Sequence, residues 1–205
     1  MSKLIKFVKR ILLLSLLLMV IISAYFGFKI RQNVQQVMGY ETQVKQAAKE
    51  NNISEYEDLI LAIIYTESKG KSDDLMQSSE SAYGKQQMIT TSEESIEVGT
   101  AFLAQAIVKA NQSDCDIWTA VQAYNFGLDY IDYVKERGEK NSIRLAESYS
   151  KEILSPLLGN GDQKTYRYYR PQAVLYNGGY LYSNGGNMFY AEIVKMNQQF
   201  IRWLK

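Results

Sequence analysis

Histidine is absent from the 205 residues, cysteine occurs once and proline twice. Without histidine, no Ser-His-Asp triad, Cys-His protease or HExxH zinc site can be built. A lone Cys115 cannot close an intramolecular disulfide or hold a thiolate zinc cluster. No metal and no cofactor is expected. The acid–base groups that remain are Asp, Glu, Lys and Tyr, a set suited to cleaving glycosidic bonds.

The net charge of +1 conceals an uneven distribution. Residues 1–28 carry Lys3, Lys6, Lys9 and Arg10 and no acid. Setting those four aside leaves 19 of the 23 basic residues against all 22 acidic ones, so the rest of the chain is near −3. A basic face for nucleic acid is not indicated. Ile11 to Phe28 is an uncharged run of 18 residues rich in Leu and Ile. As a helix it spans roughly 27 Å, close to the hydrocarbon thickness of a bilayer. Four basic residues precede it, which places the N-terminus in the cytoplasm and the remainder outside. A cleaved signal peptide is the rival reading. The run is longer than a usual signal core, and no clear small-x-small site follows it. An exported domain with a single Cys is compatible with a Gram-positive surface.

The expected organisation is a cytoplasmic basic segment (1–10), a transmembrane anchor (11–28), a juxtamembrane stalk helix (29–53) and one domain (54–205). The stalk has a narrow apolar stripe through Val34, Val37, Val44 and Ala48, broken at Asn51-Asn52. Ser54-x-x-Glu57 and Thr91-x-x-Glu94 read as capping boxes. The first opens a helix running to a stop at Gly70, the second a helix to about Asn111. Asp114 or Asp116 can cap a third helix, interrupted by Gly127 and continued over 128–136. A further helix is expected from Ser142 to Leu154, ended by Ser155-Pro156, and a last one from near Asn187. Between Gly159 and Asn187, Asn-Gly turns separate Tyr-rich segments, so one or two short hairpins are expected there. The fold class is mainly α.

Three stretches carry chemistry. Glu67 ends the apolar helix Ala62–Tyr65, where burial and the negative end of the helix dipole both raise a carboxyl pKa. A Glu kept protonated near neutral pH can donate to a leaving oxygen. Taken alone, however, an acid at a helix end is more often a solvated surface group. The loop 71–81 adds Asp73, Asp74 and Glu80 together with Gln77, Ser78 and Ser79, side chains suited to sugar hydroxyls. An ordinary hydrophilic loop has the same composition. Tyr124-Asn125, just before Gly127, could stack on a sugar ring and hydrogen-bond its N-acetyl group, or simply pack and cap a helix.

Read together, these pieces resemble a known arrangement. Glu67-Ser68, Met76-Gln77, Ile96-x-x-Gly99-x-x-x-Leu103 and Ala123-Tyr124-Asn125-Phe126-Gly127 occur in the order found in goose-type lysozymes and lytic transglycosylases. The chain is most similar to a Gram-positive branch of that superfamily, the lysozyme-like cell-wall hydrolases, over roughly residues 30–205. The resemblance implies a lysozyme-like domain over 54–205 that cuts the MurNAc-GlcNAc β-1,4 bond of peptidoglycan. It puts Glu67 at the catalytic acid and Tyr124 and Asn125 at glycan contacts. Gln77, Ser78, Ser79 and Glu80 are candidate substrate-binding residues of the same loop. Met-Gln follows the family's Glu by about twenty residues, yet Gln77 follows Glu67 by ten, while Gln87-Met88 stands nearer the usual distance. Asp74 is the favoured second carboxylate, needed for hydrolysis but not for 1,6-anhydro ring closure. The competing class is a non-catalytic peptidoglycan-binding surface protein, for which Tyr166-Arg167-Tyr168-Tyr169-Arg170 serves equally well.

Overall fold

A computed structural model describes residues 3–78 and 89–205. The first helix, α1 (Lys3–Met38), runs unbroken from the basic N-terminal segment through the apolar run. Residues 11–28 are exposed along its length, as expected of a surface that faces lipid rather than protein. From Asn33 onward the same helix belongs to the core. Val34 and Val37 are fully buried, as are Val44 and Ala48 of α2 (Glu41–Glu50). The apolar stripe of the juxtamembrane stalk helix is one face of the domain, packed on α3 (Glu57–Glu67) and on the C-terminal helix. Burying a valine of this kind is worth roughly 1.5–3 kcal/mol, so these residues hold the segment down firmly.

The capping box expected at Ser54 does not form. Ser54–Tyr56 make a 3₁₀ turn closed by the Tyr56 amide on the Ile53 carbonyl (2.9 Å), and α3 begins after it without a side-chain cap. Seven consecutive residues, Leu59 to Tyr65, are buried in α3, making it the central helix of the core. Thr91 does cap α4 (Ser92–Gln112), accepting the Glu94 amide, and Asp116 caps α5 (Ile117–Phe126), accepting the Thr119 amide. Gly127, at φ +90, ends α5, and α6 (Asp129–Lys135) follows.

Ser142 caps α7 (Ile143–Tyr149), but the helix does not stop at Ser155-Pro156. It widens into a π turn over Ser150–Leu154 and resumes as α8 (Ser155–Leu157). Proline removes an amide donor and crowds the carbonyl four residues back, and a widened turn relieves both problems. One short hairpin follows, β1 (Thr165–Arg167) against β2 (Tyr180–Tyr182), antiparallel with Tyr166 opposite Leu181. The short helix α9 (Pro171–Asn177) lies between the two strands in sequence. The last helix, α10 (Tyr190–Leu204), packs along α3 more extensively than on any other element.

Candidate functional site

Glu67 is the last residue of α3, and four hydrogen bonds fix that helix end. The Ser68 hydroxyl donates to the Leu75 carbonyl (2.8 Å) and accepts from the Gly70 amide (3.1 Å). The Asn197 amide of α10 donates to the Thr66 hydroxyl (2.9 Å). The Tyr190 hydroxyl donates to Glu67 Oε1 at 2.6 Å. Glu67 keeps a small exposed surface, but protein surrounds its carboxyl closely enough to push its pKa up to about 7. Desolvation is the main cause. The Tyr190 hydrogen bond opposes it by favouring the carboxylate, and the negative charge of Asp74 reinforces it.

The segment after Glu67 is pinned to the start of α4. Ser95 Oγ accepts from the Met76 amide (3.0 Å) and donates to Asp74 Oδ1 (2.8 Å). Gly99, one turn on, faces Met76 so closely that a Cβ there would lie 2.7 Å from Met76 Cβ and 2.9 Å from the Tyr124 hydroxyl. That hydroxyl donates to the Met76 carbonyl (3.0 Å). The Met-Gln and Ile-x-x-Gly elements are thus two sides of one contact, which explains why glycine stands at position 99.

A groove of about 730 Å³ opens beside this contact, within the range of small-ligand sites. Glu67 and Gln77 line it near the helix end, with Phe102 and Tyr124 beside them. Asn125, Phe126 and Gly127 continue the wall, and Leu154, Leu158, Asn184 and Gly186 complete it. The groove therefore brings the Glu67 helix end together with the end of α5. Asn125 Oδ1 accepts from the Asn187 amide (2.7 Å), joining α5 to the 183–187 turn. Buried Gln122 reinforces that junction, donating to the Asn187 carbonyl (2.9 Å) and accepting from the Ala191 amide (3.1 Å).

Several expected site residues take other places. Asp74 Oδ1 accepts from the Ser78 amide (3.0 Å) as well as from Ser95, which makes this oxygen the organiser of the loop turn. Ser78 is 1% exposed, with its hydroxyl donating to the Ser95 carbonyl, so it ties the loop down instead of facing a ligand. Ser79, Glu80 and the alternative Gln87-Met88 lie outside the described residues. Tyr124 borders the groove but stacks on Tyr190 (centroids 6.3 Å apart, planes at 11°), so one ring face is occupied within the protein. In the segment 166–170, Arg167 covers the Tyr180 ring of the partner strand and Tyr168 stacks on Phe189 at the start of α10, so both side chains pack within the protein. Tyr190 was missed at the sequence level, and no local signal marks a partner 123 residues from Glu67. Leu154, Leu158 and Gly186 were likewise invisible, because the π turn and the 183–187 turn bring them in.

The lysozyme-like family model matches residues 34–198. A pneumococcal vaccine antigen A homolog of Streptococcus pyogenes serotype M1 is 47% identical over 173 residues, 84% of this chain and 86% of that protein. Pneumococcal vaccine antigen A of Streptococcus pneumoniae serotype 4 is 42% identical over 96% of this chain and 95% of its own length. The bifunctional muramidase/DL-endopeptidase CwlT of Bacillus subtilis is more distant, at 35% over 57% of this chain and 34% of that protein. Among solved structures, an NLP/P60-family protein of Staphylococcus aureus, described as similar to lipoprotein, superposes with a TM-score of 0.72 at 34% identity. That match covers 80% of this chain and about half of the other, 52%.

Proposed function

The chain belongs to the lysozyme-like family, and on that premise we propose that it is a membrane-anchored enzyme that cleaves the glycan strands of peptidoglycan. The observation that carries this reading is Glu67 itself, a carboxyl held by Tyr190 at the wall of a groove and titrating at about 7. A module that only binds glycan has no use for a carboxyl desolvated in this way. With Oε1 accepting from Tyr190, the proton of the neutral form belongs on Oε2. That proton passes to the glycosidic oxygen as the C1–O bond breaks, leaving an oxocarbenium-like sugar and a Glu67 carboxylate.

Two fates of that sugar give two products. In a muramidase, water adds at C1 and loses its proton to a carboxylate, leaving a reducing end. The name of the Bacillus relative favours this outcome, with Asp74 as the candidate second carboxylate. In a lytic transglycosylase, the substrate's own 6-hydroxyl closes on C1 and returns its proton to Glu67. One observation favours that outcome: Glu67 is the sole carboxylate among the described residues lining the groove. Gln77 and Asn125 supply hydrogen bonds to the strand, and Phe102, Leu154 and Leu158 supply apolar contact along it. Residues 11–28 span the membrane with the N-terminus inside, which places the groove on the wall side.

Mass spectrometry of digested peptidoglycan tests the proposal. Reducing muropeptides identify a muramidase and 1,6-anhydro ends a transglycosylase. Intact strands bound to wild-type protein without any cleavage would reverse the reading in favour of a peptidoglycan-binding surface protein.

A further inference from the structure

The membrane-facing part of α1 and its domain-facing part are one helix. Proline, the commonest cause of a sharp kink, is absent before position 156, and the helix runs without interruption from Lys3 to Met38. The uncharged run ends at Phe28, and the first buried residues of the domain are Asn33 and Val34. That interval is about 8 Å of helix at 1.5 Å per residue. Val37 is fully buried one turn further on, and Ile30 and Met38 pack against the core from either end. The end of the helix also reaches the catalytic side of the domain. Gln36 Nε2 donates to the Gly70 carbonyl at 3.1 Å, and the Tyr40 hydroxyl reaches the same oxygen at 3.4 Å. Gly70 lies three residues beyond Glu67, at φ +72, and a Cβ there would meet Gln36 Cγ at 3.0 Å.

From this geometry we infer that α1 is a rigid strut that fixes the groove at one height and orientation above the bilayer. The substrate of the membrane-embedded protein is therefore the glycan nearest the membrane, the strand still tethered there by a lipid anchor, rather than the distant wall. This inference rests on the membrane-anchored, glycan-cleaving reading above. A flexible tether of twelve residues would let the domain wander over roughly 17–20 Å. A helix buried on one side from Asn33 onward gives no such freedom.

The test uses the full-length chain in phosphatidylglycerol vesicles, compared with a variant carrying a twelve-residue Gly-Ser insert between Phe28 and Lys29. A dye on Asp162→Cys in a Cys115→Ala background reports energy transfer to headgroup-labelled lipid, since the Asp162 side chain is 82% exposed and far from Glu67 in sequence. The strut predicts one narrow distance for the parent and a broad distribution for the insert. Equal breadth in both would overturn it. In the same vesicles, the parent should cleave co-embedded lipid-tethered strands at least tenfold faster than added sacculi, and the insert should narrow that ratio. An unchanged ratio would overturn the substrate preference. In detergent both proteins should cleave sacculi equally. If neither does, the glycan-cleaving reading fails, while the distance measurement still decides the strut.

Discussion

The groove has two walls built in opposite ways. The wall that carries Glu67 consists of a helix end, a pinned loop and the first turns of α4, joined by polar ties among Ser68, Asp74, Met76 and Ser95. The facing wall is the end of α5, a π turn and a tight turn at 183–187, with Phe126, Leu154 and Leu158 supplying apolar surface. The first holds a charge-bearing group at a fixed place and a fixed proton affinity. The second offers shape. On the proposed function, chemistry and recognition fall to different parts of the chain, and each should be open to damage without the other.

Replacing Glu67 by Gln should have the largest effect and should strike the first wall alone. Cleavage should fall by about 10²–10⁴-fold, the usual contribution of general acid–base catalysis, as measured by muropeptide release. Stability should move the other way. In the folded chain the proton is kept up to about pH 7, whereas an unfolded Glu releases it near 4.5. The stabilisation from protonated Glu67 is therefore complete below pH 4.5 and lost as pH rises through 7. The variant should melt higher than wild type at pH 8, by on the order of 1–3 kcal/mol in stability, with no gain at pH 4. Equal cleavage by both proteins would end the division of labour between the walls.

Gly99→Ala tests the packing behind the same wall. The added carbon meets Met76 Cβ, which cannot swing aside, so a loss of about 1–3 kcal/mol is expected. Gly161→Ala, where nothing lies within 4 Å, should leave the melting temperature unchanged. Across the groove, Asn125→Ala leaves the Asn187 amide without its acceptor and should cost roughly 1 kcal/mol in stability while weakening binding to isolated wall. Loss of stability with unchanged binding would make Asn125 a structural cap.

The smallest effects are displacements of the alkaline limb of the pH–rate profile, which should lie near 7 in the wild type. Tyr190→Phe removes the bond that favours the Glu67 carboxylate, so the limb should move up. Asp74→Asn removes a negative charge while keeping an acceptor oxygen, so the limb should move down. Asp74→Asn also separates the products, because a hydrolase that uses Asp74 loses most of its rate and a one-acid transglycosylase loses much less. Shifts in the same direction would contradict the electrostatics of the Glu67 pocket.

The first wall was legible because its signals are local. An apolar run ending in Glu67 and a Thr91 cap each show within a dozen residues. Of the second wall only the Gly-terminated Ala123–Gly127 helix end was legible, since Asn125 meets Asn187 across 62 residues; in the first wall the Tyr190 bond to Glu67, across 123, was equally hidden. The apolar stripe of Val34, Val37, Val44 and Ala48 was visible, but nothing in its spacing says whether it seals a stalk or a core. At Ser54 the capping pattern was present, yet a 3₁₀ turn closed by backbone bonds took its place. Burial of Ser78 follows from its neighbour Asp74 and from Ser95, a tertiary pairing that loop composition does not encode.

The pairing of α3 with α10 also sets a timetable. Glu67 is synthesised 123 residues before Tyr190, and Thr66 131 residues before Asn197, the two residues of α10 that enclose this helix end. Until they dock, the carboxyl faces water and behaves as an ordinary surface acid with little appetite for a proton. On the proposed function, the chain is therefore made and exported before its general acid is armed. Raising the proton affinity of Glu67 awaits the docking of α10.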